Sequence, residues 1–205
     1  PQMVEGFRHV HLSGAICFGA VTAYQKQGPK SFSELGLSLN FQGFISNKTV
    51  IIDEMVSQGV ALANDDIRNV IAGAFTLWGL DCFEKFEGRF AIAIYEHLRG
   101  RLCLARDVMG QETLYVAHDE TSGHVLFATT LPMIARREDV SSDIDPLSLN
   151  LYCSYQSAVP APFTLLKSVK KLLPGCVATF DGERSNHIFR TCLLYTSDAA
   201  DDDRS

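Results

Sequence analysis

The chain has 205 residues, 46% hydrophobic and 20% charged, which gives room for one packed domain and excludes a disordered chain. Its formal net charge of −6 argues against a broad nucleic-acid surface. No apolar run approaches the ~20 residues needed to span a bilayer, and the N-terminus lacks the basic-then-apolar layout of a secretory signal.

In chain order, His9-x-His11 suggests a metal pair on a strand, but no third ligand clusters with it, so no metal residue is assigned. Residues 17–22 form an apolar, strand-like run in which Cys17 reads as a core thiol. Leu37, Leu39 and Phe41 alternate with Ser38, Asn40 and Gln42, the pattern of a half-buried strand. A helix is expected over 48–58, ended by Gly59. A stronger helix starts at an Asp65 or Asp66 N-cap and carries Val70, Ile71, Ala74, Phe75 and Trp78 on one face, with Gly79 as its stop. Acids at a helix N-terminus are favoured electrostatically, so capping is the first reading of that Asp pair.

Residues 89–95 and 101–106 are apolar runs joined through Leu98-Arg99-Gly100, a hairpin pattern. Residues 113–118 and 124–128 flank Thr121-Ser122-Gly123 as a second hairpin, and the four together imply an antiparallel meander. Asp145-Pro146 opens a third helix running to about Tyr155. Lys167, Lys170 and Lys171 make a small basic patch, expected in a solvated loop. Residues 177–180 form a further strand before the turn Asp181-Gly182. Helices fall between groups of strands rather than alternating with them, so the fold class is α+β, a layered antiparallel α/β sandwich.

The six cysteines are scattered with no CxxC pair, which reads as reduced thiols of a cytoplasmic protein rather than a disulfide frame. Residues 192–205 carry four aspartates and one arginine and resemble a translated sequencing adapter, so they are excluded from the fold. The domain is expected over 1–182, incomplete at its N-terminus, with 183–191 as the start of a linker.

Several motifs carry a family resemblance. Trp78-Gly79, then Gly88-Arg89-Phe90-Ala91, Arg106-Asp107-Val108-Met109-Gly110, Leu114-Tyr115 and Phe127-Ala128 resemble the glutaminase-type domain of asparagine synthetases. Asp145, Thr164 and Leu173-Pro174-Gly175 continue the series in order. The resemblance spans about residues 35–182 and implies an Ntn-hydrolase-like fold, antiparallel sheets with flanking helices. It also implies a fused C-terminal synthetase domain that would use ATP and Mg2+, neither of which has a residue here, and a homodimer among the expected assemblies.

Glutaminases of this family use an N-terminal cysteine whose thiolate attacks the glutamine amide. An Asn side chain and a Gly amide form the oxyanion hole, and an arginine clamps the substrate carboxylate. This chain departs from that pattern. The family's Asn-Gly-Glu stands here as Gln42-Gly43-Phe44, and residues 17–22, where the arginine is expected, contain none. One inserted residue brings Asp66 to the position of the second acidic group; without it the position falls on Ile67. No catalytic residue is assigned, and Gln42, Gly43 and Asp66 are the expected remnant of a glutamine pocket.

Such degeneracy resembles the β-lactam synthetases and lasso-peptide cyclases of the family. The expected function is a domain inactive toward glutamine that acts as scaffold for the synthetase domain. An active glutamine-hydrolysing enzyme and a non-enzymatic binding module are the alternatives.

Overall fold

In the computed structural model, residues 10–11, 17–18, 30–62, 64–119, 124–155, 159–181 and 184–190 are described. The alternation of Leu37, Leu39 and Phe41 builds β4 (Leu37–Ile45), which pairs antiparallel with β5 (Gly88–Glu96) from Leu37↔Glu96 to Ile45↔Gly88. Strand β5 turns into β6 (Arg101–Arg106), and β6 pairs with β10 (Val177–Asp181). With β3 (Lys30–Phe32) and β11 (Arg184–Arg190) at its edges, this sheet has the order β11-β10-β6-β5-β4-β3. Strands β7 (Tyr115–Asp119), β8 (His124–Ala128) and β9 (Val169–Lys171) form a second sheet ordered β8-β7-β9. Two further strands, β1 (Val10–His11) and β2 (Cys17–Phe18), pair with each other.

Each sheet has two buried faces, and the period of two sorts residues between them. Phe90, Ile92 and Ile94 of β5 face a helical layer, while Ala91, Ala93 and Tyr95 face the second sheet. The helical layer is α1 (Lys48–Ser57) and α2 (Ile67–Trp78), which contribute Ile51, Met55, Val70, Ile71, Ala74 and Phe75. Gly73 lies inside α2 because α1 crosses there: a Cβ at that position would stand 2.5 Å from the Met55 methyl. Between the sheets, Leu102, Leu104, Ala178 and Phe180 meet Leu114, Val125, Val116 and Phe127. The outer face of the second sheet packs through Ala117, Ala128 and Val169 on Ile134 of the short helix α3 (Leu131–Ala135). Helices, sheet, sheet and helix thus stack as the expected layered α+β sandwich. Each large side chain buried in these layers contributes about 1.5–3 kcal/mol. Helix α4 (Pro146–Tyr155) follows, its first turn capped by Asp145, which accepts from the Ser148 backbone N–H at 3.2 Å and hydroxyl at 2.5 Å.

Three sequence expectations change. The four strands β5 to β8 are not one meander, because the chain leaves the first sheet at Arg106-Asp107 and its second hairpin joins the other sheet. The stretch read as a linker contains β11, paired with β10 from Val177↔Arg190 to Asp181↔Arg184. Lys170 and Lys171 stand on β9 rather than in a loop. Residues 192–205 and His9 lie outside the described residues.

The chain changes sheets around two buried charges, Arg106 and Asp107, 5% and 0% exposed. The Asp107 carboxylate accepts from the backbone N–H groups of Phe90, Gln111 and Glu112 at 3.3, 2.9 and 3.0 Å. The Arg106 guanidinium donates to the carbonyls of Glu112, Leu172 and Gly110 at 2.6, 2.6 and 2.7 Å. The Asp107 carbonyl accepts from Gly110 and Gly175, both at positive φ. Removing the carboxylate leaves three backbone donors without their partner, the Phe90 N–H fully buried, and leaves the buried Arg106 without its neighbouring charge, so Asp107→Ala should cost on the order of 3–5 kcal/mol, read as a lower urea midpoint at constant slope. The exposed Asp139, paired with Arg137 at the surface, is the control, and Asp139→Ala should cost less than about 1 kcal/mol.

Candidate functional site

Strand β4 points Leu37, Leu39 and Phe41 at the helices, which turns Gln42 toward the second sheet. There the Gln42 amide nitrogen donates to a Glu112 carboxylate oxygen at 3.1 Å, and its oxygen accepts from the Thr129 hydroxyl at 2.9 Å. The other Glu112 oxygen stands 3.8 Å from the Arg89 guanidinium nitrogen. Glu112 is held in place because its own backbone N–H and carbonyl are bonded by Asp107 and Arg106. Phe44, the cross-strand partner of Arg89, is 61% exposed beside this group.

Gly43 has no replacement at its position. Its φ is +121°, and a Cβ there would lie 2.2 Å from the Arg89 carbonyl oxygen. Gly88 has the same relation to the Phe44 oxygen, with φ +138° and a distance of 2.2 Å. The two glycines let β4 and β5 approach closely where Gln42, Phe44 and Arg89 emerge.

Asp66 lies on the opposite side of the sheet, in the helical layer. It caps α2 by accepting from the Arg68 N–H at 2.9 Å and pairs with the Arg68 guanidinium at 2.8 Å. Hydrogen bonding from Arg68 pulls the Asp66 carboxyl from its ordinary 3.8 to about 2, against the opposing effect of burial. Beside it, Lys30 donates to Asn69 at 2.6 Å, and Asn69 in turn bonds Asn64. The structure therefore gathers Gln42 and Gly43 with Arg89, Glu112 and Thr129, and leaves Asp66 committed to a helix end. Glu112 and Thr129 lie 70 and 87 residues from Gln42, so no local pattern could have joined them.

Among the described side chains, the thiols offer no nucleophile in this region. Cys82, Cys103 and Cys176 are buried, and desolvation pushes the Cys82 thiol far above its ordinary value, keeping it protonated. Cys153 is exposed on α4. Residues 17–22 lie mostly outside the described residues. Among those described, no group of three His, Cys, Asp or Glu side chains could hold a metal ion.

The depressed Asp66 value sets a pH signature. Its charged form favours the folded chain above about pH 4, and that contribution is lost as pH falls toward 2. Asp66→Ala should therefore cost about 1 kcal/mol at pH 7, with the gap to the native chain narrowing between about pH 4 and pH 2 in urea titrations. A gap that stays constant across that window would contradict the assignment.

Comparisons with known proteins identify the family. A family model described as a glutamine amidotransferase domain matches residues 20–189. A protein of Mycobacterium tuberculosis named as an asparagine synthetase (glutamine-hydrolyzing) is 31% identical over 143 residues, covering 68% of this chain and 22% of its own. Asparagine synthetase (glutamine-hydrolyzing) 3 of Bacillus subtilis is 21% identical over 146 residues, 71% of this chain and 24% of its own. The chain thus spans about a quarter or less of the relatives it matches. Among solved structures, glutamine phosphoribosylpyrophosphate amidotransferase of B. subtilis aligns with TM-score 0.47 at 14% identity, covering 75% of this chain and 29% of that one. The chain belongs to the glutamine amidotransferase domain family, in the form carried by the asparagine synthetases.

Proposed function

We propose that this domain has lost glutamine hydrolysis and serves as the scaffold of a longer, ATP-dependent amide-forming protein. The observation that carries the reading is the engagement of Gln42 by Glu112 and Thr129. An oxyanion hole needs donors aimed at empty space in a positive potential. Here the Gln42 amide plane is fixed by bonds at both ends, and one of its two N–H donors is spent on a carboxylate. A second negative charge developing near that carboxylate would be repelled rather than stabilised. Losing one such donor in other acyl-transfer sites costs on the order of 10²–10³ in rate. The exposed Phe44, standing where the family has an acidic residue, supplies no carboxylate for a substrate ammonium.

On this reading ATP and Mg2+ act in the synthetase part, and Gln42, Gly43 and Asp66 keep structural roles only. The buried thiols and the absence of any membrane-spanning helix among the described residues fit a cytoplasmic home. The degeneracy favours the β-lactam synthetase and lasso-peptide cyclase branch. Protein expressed from the complete reading frame should release no glutamate from glutamine above buffer background. Measurable glutaminase turnover would overturn the proposal and favour a glutamine-hydrolysing enzyme.

The scaffold role draws on α4. Its ten residues carry no charge, and Leu147, Leu149, Tyr152 and Tyr155 are exposed, with only Ser148 buried. A helix apolar on most sides is ordinarily covered. In the complete protein, Leu149→Asp with Tyr152→Asp should lower the unfolding temperature by several degrees while leaving this domain alone unchanged. Equal effects on both would place the helix outside any interface.

A further inference from the structure

A cavity of about 560 Å3 opens between the two sheets at the side where β9 and β10 face each other. It is separate from the Gln42 group. The Gln42 row runs across the sheet through Ala91 to Arg106, whereas Phe180 of the cavity lies on the row through Leu102 and Tyr95 to Ser38. Its volume falls within the range of small-molecule sites, about 300–1,000 Å3.

Ala178 of β10 and Val116 of β7, short side chains from the two sheets, both line it. Phe180 lies on the same wall as Ala178, its ring 5.9 Å from that of His118. Register places Lys170 of β9 directly opposite Val116 of β7, on the face that elsewhere carries inter-sheet apolar residues. The Lys170 ammonium stands 5.7 Å from the Phe163 ring centroid and acts on the nearby Asp145 carboxyl, while a lysine stem at such a position covers apolar wall. Lys167 also lines the cavity, and no Asp or Glu does so among the described residues. Lys171 is already engaged, donating to the Val159 carbonyl. The result is an apolar interior edged by lysines.

We propose that this cavity binds an organic carboxylate with an apolar body, the body against Val116, Leu172 and Phe180 and the carboxylate on Lys167 and Lys170. This does not depend on whether the domain hydrolyses glutamine. The test is calorimetric titration of the chain with octanoate, and with octanol as the same body without the charge. Octanoate should bind saturably at one site, and Lys167→Gln with Lys170→Gln should weaken it about tenfold while leaving octanol binding unchanged. Near-UV circular dichroism establishes that the variant is folded. Should it fail to fold, the octanoate-to-octanol preference of the native chain decides alone. No saturation by about 1 mM, equal binding of octanoate and octanol, or undiminished octanoate binding by a folded variant would each overturn the assignment.

Discussion

The architecture turns on one buried pair of opposite charges that are satisfied mainly by backbone rather than by each other. Taking a guanidinium and a carboxylate out of water costs several kcal/mol per ion unless nearly every donor and acceptor is met. Arg106 and Asp107 meet that condition by collecting backbone from three places: the start of β5 at Phe90, the turn at residues 110–112, and the loop at Leu172 to Gly175. The chain must therefore leave the first sheet where it does, and the second sheet begins at the spacing that bonding permits. Gly110 closes the turn at φ +63°, and a Cβ there would meet Pro174 at 2.7 Å, so the motif and the Pro174 loop fit only together.

The same pair determines the candidate site at one remove. Glu112 enters the group around Gln42 because its backbone is bonded on both sides by Arg106 and Asp107. The position of a carboxylate beside the Gln42 amide is thus a consequence of the sheet-to-sheet turn, not of local preference. Gly43 and Gly88 set the other wall by bringing two strands into a contact that no side chain could survive.

Much of this was legible in the sequence wherever local pattern carries the information. The alternation through Leu37, Leu39 and Phe41, the aspartate cap of α2, which falls on Asp66 of the two expected candidates, and the Asp145-Pro146 start of α4 follow from period and capping chemistry. What was misread depends on long-range pairing. Two hairpins adjacent in sequence look like a meander, and only the Arg106-Asp107 bonding sends the second to another sheet. Strand β11 lacks the apolar alternation of its neighbours, so Arg184-Ser185-Asn186-His187 read as a linker, although the free edge of β10 recruits it. Of the candidate site, Gln42 and Gly43 stand out against the family motif, whereas Glu112 and Thr129, which bond Gln42, are brought in by the fold.

On the proposed loss of glutamine hydrolysis, the way Gln42 is satisfied bears on how a catalytic pocket decays. Active sites hold polar groups poised for substrate, at some cost in stability. One added methylene carries an amide farther from its strand, and here it reaches Glu112 and Thr129. Among the described residues no buried side-chain nitrogen or oxygen lacks a hydrogen-bond partner. If the domain's task is to support a larger protein, this is the expected drift: each donor once kept for a transition state finds a partner within the chain. Reversing it would then take more than restoring an asparagine at position 42. The Glu112 carboxylate would remain, fixed by the buried pair that holds the two sheets in register.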